Sequence, residues 1–110
     1  MDDTGLDIDV ERDGTTFTMH LRGELDIEST PRFQAEMRHL RTDTPEGTTV
    51  LLDAAELTYI DSVGIGELVA AWDTVKADGH ALAIIRPHPF TRQILEITGL
   101  GSLIIESTGG

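Results

Sequence analysis

The chain has 110 residues, 39% of them hydrophobic and 25% charged, with 20 acids against 8 bases and no cysteine. That length suits one domain with an ordinary core, and the composition is that of a globular protein. Without cysteine there are no disulfides, thiolate metal sites or thiol nucleophiles, and a formal net charge of −12 repels nucleic acid and anionic lipid surfaces alike.

The chain opens Met1-Asp2-Asp3, with no basic region ahead of an apolar run. No stretch reaches the ~20 apolar residues of a membrane helix. A cytoplasmic protein is therefore expected. Leu6, Ile8 and Val10 alternate with Asp7, Asp9 and Glu11, the pattern of a half-buried strand. Asp13-Gly14 is a hairpin turn signal. Phe17, Met19 and Leu21 then alternate with Thr18, His20 and Arg22, so the chain should begin with an antiparallel hairpin.

Thr30 can cap a helix whose first position is Pro31. Phe33, Met37 and Leu40 recur at helical spacing as far as Leu40 or Arg41, and Thr42 to Gly47 form a polar loop. Thr48 to Leu52 is a short apolar run rich in β-formers, which predicts a buried strand ending near Asp53. Ile65, Leu68, Val69, Trp72 and Val75 form a helical stripe, closed by Asp78 and Gly79. Trp72 is expected to pack against the sheet. Ala81 to Ile85 predicts another strand. Phe90, Ile94 and Ile97 predict a third helix ending near Gly99, and Leu103 to Ile105 a last short strand. Residues 107–110 read as a frayed tail. After the hairpin, helices and strands alternate, which predicts an α/β domain over residues 1–110 with mostly parallel later strands. Four to five strands are expected, with helices mainly on one face.

The informative segment is Leu57-Thr58-Tyr59-Ile60-Asp61-Ser62-Val63-Gly64-Ile65-Gly66-Glu67-Leu68. It should bring Asp61 and Ser62 by a loop to the start of an amphipathic helix. Free N–H groups and the helix dipole favour negative charge there, so a phosphate on Ser62 would be tolerated. Gly64 and Gly66 each cost the helix about 1 kcal/mol relative to alanine. Their bareness would keep the Ser62 hydroxyl uncovered and let another backbone approach. A plainer reading makes Asp61 or Ser62 an ordinary N-cap and the glycines aids to a tight turn. Dinucleotide binding fits poorly: a third glycine is missing, and the predicted strand ends about eight residues too early for a tight strand-to-helix turn. Neither a Walker loop nor a His-Glu-x-x-His zinc motif occurs. His20, His39, His80 and His88 lie far apart and read as surface residues rather than ligands.

Ile60-Asp61-Ser62-Val63-Gly64-Ile65-Gly66 resembles the Asp-Ser-Ser/Thr-Gly-Leu-Gly signature of bacterial anti-sigma factor antagonists, members of the STAS (sulfate transporter and anti-sigma factor antagonist) domain family. Leu21-Arg22-Gly23-Glu24-Leu25-Asp26 resembles the family's Gly-Glu-Leu-Asp segment, and Leu95-Glu96-Ile97-Thr98-Gly99-Leu100 its Leu-x-x-x-Gly-Leu segment. The blocks follow the family's order and spacing over nearly the whole chain.

This resemblance implies a STAS-like fold and a switch rather than an enzyme. The unphosphorylated antagonist binds an anti-sigma factor that is itself a serine kinase, which frees a sigma factor. The kinase phosphorylates the first serine of the signature, and a PP2C-type phosphatase reverses this. By position the phosphoacceptor is Ser62. Asp26, Asp61, Val63, Gly64 and Gly66 join it on the expected partner surface, and no cofactor or metal is implied. Asp26 has an equally good structural role, capping the turn before the first helix. Val63 departs from the family, whose phosphorylated members mostly carry Ser or Thr there. That departure leaves a second reading open: a STAS domain of another system, a stressosome subunit or the cytoplasmic partner of a lipid transporter, binding without Ser62 phosphorylation. A phosphocarrier component would need an exposed histidine at a helix start. His88 before Pro89 has that position, but only Arg86 nearby supports it.

Overall fold

A computed structural model describes residues 5–42 and 44–105. The elements run β1 (Leu6–Asp13), β2 (Thr16–Leu25), α1 (Thr30–Thr42), β3 (Thr49–Ile60), α2 (Ser62–Ala77), β4 (Ala81–Ile85) and α3 (Pro89–Ile97), followed by a 3-10 turn at Gly101–Leu103. The strands lie side by side in chain order, with β1 antiparallel to β2 and both later pairs parallel. This is a mixed α/β architecture opened by a hairpin, as the patterning predicts. The predicted tail at 107–110 lies outside the described residues.

The hairpin closes where Asp13 pairs with Thr16, around Gly14 at φ 61°. That left-handed conformation suits glycine and continues the strands' right-handed twist. Leu6, Ile8, Phe17, Met19, Leu21 and Leu25 are buried. On the opposite face Arg22 of β2 reaches across to Asp7, at 2.9 Å, and to Asp9 of β1. Since β1 forms one margin of the sheet, its acids line an outer edge.

α1 begins at Thr30, but its cap lies one residue earlier than predicted. The Ser29 carbonyl accepts the first helical hydrogen bonds, from Arg32 and Phe33. The buried Ser29 hydroxyl donates to the Glu24 carbonyl and accepts from the Asp26 N–H. Phe33, Met37 and Leu40 fill the predicted buried stripe.

β3 is the largest departure from the sequence reading. It does not end near Asp53 but runs on to Ile60. Two bulges explain why. The pairing with β2 slips between His20 and Arg22, and again between Gly23 and Glu24. At each slip β3 carries one extra residue, which shifts its inward positions by one. The buried apolar residues therefore fall at Val50, Leu52, Ala54, Leu57 and Ile60, and strict alternation of these inward positions fails after Ala54. Beyond the end of β4, the far edge of β3 is covered by the entry to α3. The Ala54 carbonyl accepts from the His88 N–H and the Leu57 carbonyl from the Thr91 hydroxyl. A sheet edge is thus satisfied without another strand.

The predicted last strand is also corrected. Leu103 belongs to the 3-10 turn, and only Ile104 makes a single parallel bridge, to Ile84. The sheet therefore has four strands. Leu68, Ala71 and Val75 of α2 and Thr91 and Leu95 of α3 close the core on the helix-bearing face. Trp72 packs against that core but stays partly exposed, with the Lys76 ammonium 4.6 Å from its ring centroid.

Candidate partner-binding site

The site is built where β3 becomes α2. The chain turns in one residue: Ile60 closes the strand, Asp61 is extended at φ −107° and ψ −175°, and Ser62 opens the helix. The predicted loop does not exist. Asp61 is the N-cap, one carboxylate oxygen accepting from the Gly64 N–H at 2.9 Å. Its other oxygen accepts from the Ile27 N–H at 3.3 Å. One side chain therefore satisfies an orphan helix donor and ties the β2–α1 loop to the start of α2.

The two glycines serve different ends. A methyl group at Gly64 would lie 2.3 Å from the Leu25 carbonyl oxygen and 2.8 Å from the Ile60 side chain. The backbone that approaches here is thus the molecule's own β2, and the same Leu25 oxygen accepts the Asp61 N–H. A methyl group at Gly66 would meet nothing within 4 Å, so no contact inside the molecule accounts for that bare position. Ser62 and Val63 are exposed beside it. Asp26 holds the turn before α1, its carboxylate accepting from the Glu28 and Ser29 N–H groups at 3.0 Å each. All six predicted residues therefore gather at one end of the sheet, with Asp26 also filling its structural role. The tight strand-to-helix turn removes one objection to dinucleotide binding, but the third glycine is still missing.

Sequence reading missed two groups. Ile27, Tyr59 and Phe90 are exposed near the same end, and the Tyr59 and Phe90 rings stack with centroids 6.1 Å apart. On the face away from the helices, His20 is more than a surface residue. Its Nδ1 lies 2.8 Å from the buried Asp53 carboxylate, and its Nε2 contacts Glu11. Arg86, at φ 49°, also pairs with Asp53. The Glu11 hydrogen bond, aided by Asp53, pushes the His20 imidazole up despite its partial burial. Burial pushes the Asp53 carboxyl up, but hydrogen bonds from Arg86, the Ala55 N–H and His20 outweigh it and hold the group below the usual range. His88 caps α3, its Nδ1 accepting from the Phe90 N–H at 3.2 Å. Among the described residues no cluster of His, Asp or Glu has the makings of a metal site, and no helix is long and apolar enough to cross a membrane.

A family model described as Mlab, STAS domain, matches residues 8–106. The chain belongs to the STAS domain family. This STAS domain is 25% identical over 108 residues to an anti-sigma-B factor antagonist of Bacillus subtilis, covering 96% of both chains. It is 27% identical over 94 residues to an anti-sigma-B factor antagonist of Listeria monocytogenes, covering 86% of this chain and 81% of that one. Among solved structures it resembles an anti-sigma factor antagonist from Mycobacterium paratuberculosis, with a TM-score of 0.80 at 19% identity over 97% of this chain and 89% of the other. That last likeness is one of fold.

Proposed function

We propose that this STAS domain is an anti-sigma factor antagonist, a binding protein rather than an enzyme, whose unphosphorylated form holds an anti-sigma serine kinase and so frees a sigma factor. The observation that carries this reading is the exposed Ser62 hydroxyl at the first position of α2, on a turn fastened by Asp61 and seated by Gly64. The names of the Bacillus and Listeria relatives point the same way. The partner kinase transfers the terminal phosphoryl group of ATP to the Ser62 oxygen and releases ADP; a PP2C-type phosphatase hydrolyses the ester. The phosphate adds about −1.5 to −2 charges at neutral pH. The free N–H groups of α2 can accept it, so the fold should survive. The interface should not, since a surface fitted to a neutral hydroxyl would have to desolvate a dianion beside Asp61 and Asp26.

The decisive experiment retrieves partners from the source cell with the parent, Ser62→Ala and Ser62→Asp proteins. The parent should retain an ATP-binding anti-sigma kinase, which with ATP modifies Ser62 alone. Ser62→Ala should bind and never release; Ser62→Asp should melt like the parent and bind at least tenfold more weakly. Equal modification of parent and Ser62→Ala, or equal binding by Ser62→Asp, would overturn this reading. Val63 favours the second one, a STAS domain of a stressosome or lipid-transport system, because it puts a methyl-bearing side chain where a hydroxyl neighbour belongs. On that reading the partner is retained but Ser62 is left unmodified.

A further inference from the structure

Single exposed apolar residues are ordinary on a protein surface. Here four of the seven large ones among the described residues gather round one turn: Ile27, Tyr59, Val63 and Phe90. Ile27 and Val63 flank Asp61, which hydrogen-bonds the Ile27 backbone. Tyr59 precedes that aspartate by two positions and stacks on Phe90, with the ring planes 12° apart.

The exposure of Tyr59 has a specific cause. In an unbroken strand it would share the inward face of Leu57, two residues earlier. The bulge at Thr58 breaks that relation: Gly23 pairs with Leu57 and Glu24 with Tyr59, while Ile60 takes the next buried position. Bulges re-aim side chains in this way and recur near functional sites. The ring, 43% exposed, has moved out of the core only to lie against another ring that is itself 38% exposed. Glu24, its cross-strand partner, and Glu56, three positions earlier in β3, are exposed acids on the neighbouring backbone.

We propose that the Tyr59–Phe90 pair is a second anchor of the partner surface and receives an arginine-bearing segment of the protein partner. The inference rests on the function proposed above. Three properties select this occupant. Stacked aromatic rings keep an open, electron-rich face that attracts a cation. A guanidinium lies flat on such a face and still presents its donors to a neighbouring carboxylate, which an ammonium group does less well. The chain's charge of −12 calls for a basic partner face, which speeds encounter and fixes orientation.

The test measures affinity for the kinase retained by the parent protein, purified, with Tyr59→Leu, Phe90→Leu and Ser62→Asp proteins. Leucine keeps apolar bulk and removes the aromatic face, and thermal melts should match the parent. Each leucine variant should weaken binding at least tenfold. If Ser62→Asp weakens binding while both leucine variants stay within twofold of the parent, the anchor is refuted and the switch stands. If the leucine variants weaken binding and Ser62→Asp does not, the switch falls and the anchor stands. A second measurement decides if no kinase is retained. The capped peptides Gly-Arg-Gly and Gly-Gln-Gly are titrated while ring proton shifts of Phe90 and of Tyr59, the chain's one tyrosine, are followed. The arginine peptide should move both rings and the glutamine peptide neither; rings that respond to neither peptide, or equally to both, overturn the proposal.

Discussion

Replacing Gly64 and Gly66 by alanine, one at a time, separates two glycines of one helical turn. On helix propensity alone each change should stabilise by up to ~1 kcal/mol. At Gly66 nothing opposes that gain, because the added methyl group enters open space. At Gly64 it would sit 2.3 Å from the Leu25 oxygen, while ordinary contact begins near 3.4 Å. The helix start must then withdraw from β2 by about 1 Å, stretching the 3.3 Å hydrogen bond from Asp61 to the same oxygen. Overpacking of this kind costs about 1–3 kcal/mol, and backbone gives way less easily than a side chain, so the upper end applies. Less the propensity gain, Gly64→Ala should lose ~2 kcal/mol, a fall of about 10 °C in Tm for a domain of this size. Gly66→Ala should gain a few degrees. Thermal melts followed by circular dichroism, with urea titrations for free energies, measure both. A Gly64→Ala protein that melts at or above the parent, or a Gly66→Ala protein that melts well below it, would refute the reasoning. Gly66→Ala should in addition weaken kinase binding while the fold gains stability, separating the internal seat from the outward surface.

Asp61→Ala should lose about 1 kcal/mol in urea through the missing cap, whereas Asp61→Asn, which keeps an acceptor oxygen, should lose less than half of that. Trp72→Ala should cost roughly 2 kcal/mol rather than the ~3–5 of a fully buried aromatic, since the ring is only partly covered; a loss above ~4 in the same titration would mean that it is buried in solution. The His20 imidazole is raised above its ordinary 6.5, so its contribution is complete below that pH and fades as pH climbs through the folded value. The Asp53 carboxyl is lowered from 3.8, so its contribution holds above that pH and is lost as pH falls through the folded value. Stability measured against pH should be greatest between these limits, and His20→Gln should flatten the alkaline side, with a smaller change on the acid side because His20 is one of the groups that hold Asp53 down.

What could be read from the chain was what is local. The hairpin follows from alternation interrupted by Asp13-Gly14, and the start of α2 from a capping aspartate before an apolar stripe. β3 was not legible to its end, because its bulges space Ala54, Leu57 and Ile60 three apart, an interval that belongs as much to a helix as to a strand. Leu103 to Ile105 has strand composition, but the chain takes up a 3-10 turn and makes a single bridge to β4, at Ile84. The six candidate site residues converge as expected, since Asp61 to Gly66 are neighbours in the chain. The contacts that fasten them are distant ones. The Ile27 N–H comes to Asp61 from 34 positions away, and the Leu25 oxygen that seats Gly64 comes from the end of another strand. The pairing of His20 with Asp53 likewise spans 33 positions and appears only once β2 and β3 are set in register.

The acids along β1 have a consequence for how copies of the molecule meet. An outer strand offers unpaired backbone groups, an invitation to a second molecule's outer strand. Two such strands joined here would bring Asp7, Asp9 and Glu11 of one copy alongside the same ladder of the other, and like charges across a strand pair repel. Crowded solution at neutral pH is therefore the condition this edge withstands best. Acidification weakens that repulsion, although Arg22 beside Asp7 and Asp9 delays it, so copies should associate more readily only as the pH falls well into the acid range.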